Sequence, residues 1–167
     1  AVAWLNHGTH TKDASYHYAV LVQPTQERAT AWEKSPGYNI LRHDNGAHIV
    51  ESNNTTSYAL FKAGKAEAVP VEGRPNPAVV HVSAPCLIMT KHEKGTLKLN
   101  LTDPDLRMPG NEGGMLSGEI RVPERQGPET AQITVTLNGI YQLQETADVI
   151  VNVKEGKTTL TFTTRRG

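Results

Sequence analysis

The chain has 167 residues, with 17 Lys and Arg against 17 Asp and Glu, a hydrophobic fraction of 37% and 5% aromatic residues. That length suits one sandwich-sized domain or two small ones, and the zero net charge excludes a partner held mainly by long-range charge, such as bulk nucleic acid or an anionic membrane surface. The 14 Gly and 10 Pro follow no period, which excludes collagen-like sequence, and the single cysteine, Cys86, excludes an internal disulfide. No apolar stretch approaches the roughly 18 residues that would span a bilayer.

Residue 1 already lies inside a strand-like run, AVAWLNHG, which has neither a basic leader nor an apolar one and ends in the turn-forming Gly8. The expectation is a piece of a longer protein. The segment from Ser15 to Pro24 reads as a strand, because Tyr16, Tyr18, Val20 and Val22 fall on one face at period two. Ala19 and Leu21 on its other face suggest burial on both sides. Thr25 to Lys34 is the one convincing helix, started by Pro24 and Thr25 and stopped by Pro36 and Gly37, with Ala29 and Trp32 on its inner side. GYNILRHD and AHIVES, joined by Asp44-Asn45-Gly46, read as a β-hairpin, and Thr55 to Gly64 as a further strand.

Between Lys65 and Pro77 the alternation lapses, and Pro70, Pro75 and Pro77 remove backbone donors a sheet would need. A crossover between domains is expected there, dividing the chain into residues 1–78 and 79–167. VVHVSAP then leads into CLIMTKHEKG and TLKLNLTDP, a second hairpin that turns at Glu93-Lys94-Gly95, with Leu97, Leu99 and Leu101 facing in. Residues 103–130 are loop-rich, and only GEIRV within them looks extended. AQITVTLNG, GIYQLQE, DVIVNVKEG and KTTLTFTT alternate again, with Asn138-Gly139 and Glu155-Gly156 as turns. The fold class expected is all-β: antiparallel β-sandwich strands with one short helix, followed by a small antiparallel C-terminal β-domain.

The seven histidines raise the question of a metal. His7 and His10 have an H-x-x-H spacing, but no third ligand stands at a recognisable distance in sequence, so a polar turn is the plainer reading and no metal site is assigned. His17, between Tyr16 and Tyr18, could serve as a general base but reads more simply as a sheet histidine; His43, His48, His81 and His92 have no clustered acids. Cys86 opens an apolar run and reads as an inert core thiol. Gly110-Asn111-Glu112-Gly113-Gly114 neither follows a clear strand nor opens a helix, so it is a poor phosphate cradle, and Asp103, Asp105 and Glu119 are separated by loop. Arg165 and Arg166 read as a solvated tail. Trp4, Trp32, Tyr16, Tyr18, Tyr38, Tyr58 and Tyr141 are the sugar-stacking candidates, against a default of packing. No catalytic residue, substrate-binding residue or cofactor follows from the residues themselves, and calcium has no support in the sequence.

Two stretches carry more than composition. Trp4-Leu5-Asn6-His7-Gly8, followed by Lys12-Asp13-Ala14-Ser15-Tyr16-His17-Tyr18 and an aliphatic run ending near Pro24, resembles a segment near the end of the central β-domain of polysaccharide lyase family 8, the group of chondroitin ABC and AC lyases, hyaluronate lyase and xanthan lyase. The order of the later segments is also similar: a short helix, NILRHDNGAHIV, SYALF, a crossover, and PCLIMTKHEKGTLKLNLTDPDLRM, which looks like the opening of the family's C-terminal β-domain. The chondroitin sulfate ABC type resembles it most. The resemblance implies a bacterial, extracellular or periplasmic lyase that cleaves glycosaminoglycan by β-elimination. It also implies that the catalytic residues lie in an N-terminal part of the same lyase, which would be this chain's partner, with no role for nucleic acid or membrane. The competing expectation is an independent carbohydrate-binding or adhesion module without catalysis.

Overall fold

The computed structural model describes residues 20–104, 127–144 and 149–165. It divides into two compact units, Ala1–Pro36 and Gly37–Gly167.

In the first unit, helix α1 (Gln26–Lys34) is capped by Thr25, whose hydroxyl accepts the Arg28 N–H at 3.2 Å. Glu27 in the first turn and Lys34 in the last complement the helix dipole. Ala29 and Trp32, the expected inner pair, are its half-buried residues, and none is fully buried. The expected strand from Ser15 departs from expectation where it can be followed. Residues 20–25 form no strand, and Val20 and Val22 are 78% and 85% exposed. The reason is local: Gln23 adopts a left-handed backbone conformation, φ 45°, which breaks an extended run. Residues 15–19 lie outside the described residues.

The second unit is all-β. Ten strands are described: β1 (Asn39–His43), β2 (Ala47–Ser52), β3 (Thr55–Leu60), β4 (Gly64–Lys65), β5 (Val79–Val82), β6 (Cys86–Glu93), β7 (Thr96–Thr102), β8 (Thr130–Asn138), β9 (Val149–Lys154) and β10 (Lys157–Arg165). They form two five-stranded sheets, ordered β1-β2-β3-β6-β7 and β4-β5-β8-β10-β9, and every pairing is antiparallel.

Alternation decides which face each strand buries. Ala47, Ile49 and Glu51 of β2, Thr56, Tyr58 and Leu60 of β3, and Cys86, Ile88 and Thr90 of β6 turn inward from the first sheet. Ile133, Val135 and Leu137 of β8 and Leu160 of β10 do so from the second, and the apolar members form one continuous core. Leu97, Leu99 and Leu101 pack against that core, as their spacing predicts. GIYQLQE does not extend the sheet: residues 139–144 are irregular. GEIRV lies outside the described residues.

Three turns, Asn53-Asn54, Lys94-Gly95 and Glu155-Gly156, have positive φ at both central residues, the geometry that suits the twist of two-residue hairpins. The β1–β2 turn instead rests on a side chain, that of Asp44. No break in pairing occurs at residue 78. β4 pairs with β5 across it and β3 pairs with β6, so strands from both sides of it share both sheets. Arg42 adds a link between the sheets, donating from Nη1 to the Lys65 carbonyl at 2.9 Å.

Candidate functional site

Three surface features and one buried cluster bring polar, charged or aromatic side chains together among the described residues. In the first unit, Val20, Leu21, Val22, Pro24, Arg28 and Trp32 line a groove of about 200 Å³. Its walls are aliphatic, with one guanidinium and one indole. Such a surface is suited to being covered, because exposed aliphatic side chains in a row are costly to leave in water.

In the second unit, the ends of β7 and β10 open a cleft of about 250 Å³ lined by Leu101, Thr102, Asp103 and Phe162–Arg165. The Thr164 hydroxyl lies 3.1 Å from Asp103 Oδ2 and 3.2 Å from the Ala131 carbonyl. It has one proton, so it joins the carboxylate and the backbone in a shared bond. Asp103 also acts on Cys86. Burial, and then the negative charge of Asp103, push that thiol up to about 11. Cys86 is fully buried and is a thiol near neutral pH, which makes it a core residue and not a nucleophile.

The third feature is the β1–β2 hairpin. Asp44 Oδ1 accepts the Gly46 N–H at 2.6 Å and the Ala47 N–H at 2.9 Å, while Arg42 Nε donates to Oδ2 at 2.7 Å. These bonds, the Arg42 side chain above all, hold the Asp44 carboxyl well below the usual carboxylate range. The turn is therefore a carboxylate gripping its own backbone. A bulge at Leu41 shifts the register so that Arg42 stands opposite Ile49 and His43 opposite His48. The two imidazole centroids are 4.3 Å apart, and Phe61 meets His48 edge-on at 5.0 Å.

The buried cluster lies at one end of the first sheet. Glu51 stands opposite Asn39 on one side and Thr56 on the other, and Thr56 stands opposite Thr90. Asn39 Nδ2 donates to Glu51 Oε2 at 2.9 Å. Tyr58, one pair along, carries the Val79 N–H on its hydroxyl at 3.5 Å, and burial raises its pKa. Glu51 escaped sequence reasoning, although its place in the Ala47, Ile49, Glu51 alternation marks it as inward-facing.

Of the residues singled out from sequence, Tyr58 is core, Trp32, Tyr38 and Tyr141 are half-buried, and His81 is exposed. The structure brings His43 and His48 together and separates both from His81 and His92 in the strand order. Among the described residues no group of three or more His, Cys, Asp and Glu side chains is arranged to hold a metal ion. Trp4, His7, His10, Tyr16, His17, Tyr18, Asp105, Gly110–Gly114, Glu119 and Arg166 lie outside the described residues.

The comparisons with known proteins bear on nearly the whole chain. It is 30% identical over 173 residues to the chondroitin sulfate ABC endolyase of Proteus vulgaris, a match covering 99% of this chain. It is 30% identical over 177 residues to the chondroitin sulfate ABC exolyase of Bacteroides thetaiotaomicron, covering 98% of the chain. This chain belongs to the chondroitin lyase family. It corresponds to a C-terminal portion of those enzymes, and the matches span 15% and 17% of their lengths. Among solved structures, the chondroitin AC lyase of Streptomyces coelicolor A3, determined with chondroitin sulphate, shares the fold at a TM-score of 0.53 and 12% identity, over 83% of this chain and 15% of that one. No protein-family model matches the chain. Among the described residues no helix of this lyase-family chain is long and apolar enough to cross a membrane.

Proposed function

We propose that the chain is the C-terminal β portion of a family 8 lyase acting on chondroitin sulfate or hyaluronan-type glycosaminoglycan. Its role is structural: it supports the β layers beside a substrate cleft, and the catalytic residues stand in an N-terminal part of the same enzyme. The observation that carries this reading is the full-length match to two chondroitin sulfate ABC lyases that are each about six times longer. β-Elimination at a uronate needs a base beside the C5 hydrogen and donors that neutralise the carboxylate. Several cations of the second unit are held by neighbouring groups. Arg42 is bonded to Asp44 and Lys65, and Lys91 and Lys98 both to Glu93.

The pairing across residue 78 supports a different division from the one expected on sequence. Gly37–Gly167 would be the lyase's C-terminal β-domain, and Ala1–Pro36 the close of its central β-domain. The exposed Val20 and Val22 and the groove beside Trp32 would then be covered by preceding segments of the longer polypeptide. Location outside the cytoplasm, in the periplasm or medium, follows from a polymeric substrate that does not enter cells.

The test is release of unsaturated uronate from chondroitin sulfate and hyaluronan by the 167-residue chain, alone and with the larger lyase polypeptide of the same source. Activity only in the presence of the larger polypeptide is expected. Cleavage by the chain alone would overturn the placement of the chemistry. Glycan binding without cleavage by the chain alone would favour an independent carbohydrate-binding module.

A further inference from the structure

The β1–β2 hairpin carries a feature that a structural role in a lyase does not call on. The Asp44 N–H donates to the Ala47 carbonyl at 3.0 Å, so residues 44 and 47 form the hydrogen-bonded pair that closes the turn. His43 and His48, the next pair, are directly opposite each other. In an antiparallel ladder hydrogen-bonded and non-hydrogen-bonded pairs alternate, so this pair is of the second kind, with Cα atoms only about 4.5 Å apart and side chains at their closest. Both imidazoles are exposed, on the face opposite Ile49 and the core.

From this geometry we infer that His43 and His48 form a two-histidine clip for a transition-metal dication of the Zn²⁺, Ni²⁺ and Cu²⁺ group. Two neutral imidazoles suit these borderline ions, whereas Mg²⁺ and Ca²⁺ call for oxygen ligands. The ring centroids, 4.3 Å apart at a 33° tilt, already hold two donor rings side by side, and rotation about each side chain turns a nitrogen from each towards one ion.

Three observations make the clip more than two neighbouring side chains. The turn beneath it is fixed by Asp44, which accepts two backbone N–H groups and the Arg42 guanidinium, so the two ligand-bearing strands cannot splay apart cheaply. Phe61, anchored by its N–H on the Gly46 carbonyl at 3.0 Å, leans edge-on against His48 and restricts that ring's rotamers. The nearest cation in sequence, Arg42, points to the core side opposite Ile49 and is bonded to Asp44, so it does not repel an incoming dication. The site uses two protein ligands, with water in the remaining positions, so binding is exchangeable and not a structural staple. This inference stands independently of the lyase reading.

The test is titration of the full chain with Cu²⁺, Ni²⁺, Zn²⁺ and Mg²⁺ by calorimetry, with His side-chain NMR signals followed during the Ni²⁺ series. The expected result is tightest binding of Cu²⁺, in line with the Irving–Williams order, no response to Mg²⁺, and first broadening of the His43 and His48 signals. His43→Ala and His48→Ala should each weaken binding at least tenfold, and His81→Ala should leave it unchanged. Equal binding by wild type and the His43→Ala/His48→Ala double variant, or first broadening at other histidines, would overturn the inference. Circular dichroism of each variant establishes that the hairpin still folds.

Discussion

Tyr58 offers the sharpest test of how the two sheets are joined. Its side chain is 2% exposed in β3 of the first sheet, and its hydroxyl accepts the Val79 N–H of the second at 3.5 Å. Tyr58→Phe removes the hydroxyl and its hydrogen bonding and keeps the ring. At 3.5 Å the bond from Val79 is at the weak end of the hydrogen-bond range, and a bond of this kind is worth about 0.5–1.5 kcal/mol net, including part of the penalty for leaving Val79 N–H unpaired. Tyr58→Ala also removes the ring, and losing a fully buried aromatic costs about 3–5 kcal/mol. For a domain of this size roughly 3–5 °C of melting temperature corresponds to 1 kcal/mol. Thermal unfolding followed by circular dichroism should therefore show a drop of a few degrees for Tyr58→Phe and of 10 °C or more, roughly, for Tyr58→Ala. Because strands on both sides of residue 78 share both sheets, the Gly37–Gly167 unit should melt in one transition that moves as a whole. Two transitions of which only one shifts, or a Tyr58→Ala melting point within about 2 °C of wild type, would refute the single shared core.

Thr158 is fully buried; it donates to the Gly139 carbonyl and accepts the Tyr141 N–H, both at 2.8 Å. Thr158→Val keeps the shape and strands both partners, so it should cost about 2–4 kcal/mol in urea unfolding, while Thr158→Ser, which keeps both bonds, should cost about 1 kcal/mol. At the β9–β10 turn Gly156 has φ 74° and Glu155 φ 52°; Gly156→Ala should destabilise by about 1 kcal/mol or more, and Glu155→Asn should be neutral or stabilising in the same denaturant series. Cys86, with its thiol raised from 9 to about 11, should resist a thiol reagent at pH 8 unless the protein is unfolded. The unfolded chain loses this proton first, so it binds fewer protons than the native state between pH 9 and 11, and stability should fall as pH rises through that window, an effect absent in Cys86→Ala.

Much of the fold was legible because burial follows alternation. The strands of β8 and β10, the hairpin of β6 and β7, and the Thr25-capped helix all stand where spacing and turn residues put them. Long-range placement was not legible. Nothing local says that β3 lies beside β6, or that the proline-bearing stretch before β5 joins it to β4, its neighbour in the same sheet. The bulge at Leu41 and the left-handed Gln23 are single-residue backbone events without a compositional mark. The His43–His48 pair was within reach: a two-residue loop at Asn45-Gly46 closes residues 44 and 47, which sets 43 opposite 48. Spacing along the chain, which picks out His7 and His10, does not reveal it; only register across a hairpin does.

The central claim, that this chain is the C-terminal β portion of a larger glycosaminoglycan lyase, is tested most directly in the organism that makes it. An antibody raised against the Gly37–Gly167 unit, used on fractionated native protein alongside an absorbance assay for unsaturated uronate, reports both the size of the polypeptide and where the activity resides. The account predicts that the epitope and the lyase activity coincide on a polypeptide several times larger than 18.2 kDa, or on a complex of this chain with one. An 18.2 kDa species that cleaves chondroitin sulfate by itself, or an epitope that never accompanies lyase activity, would contradict it.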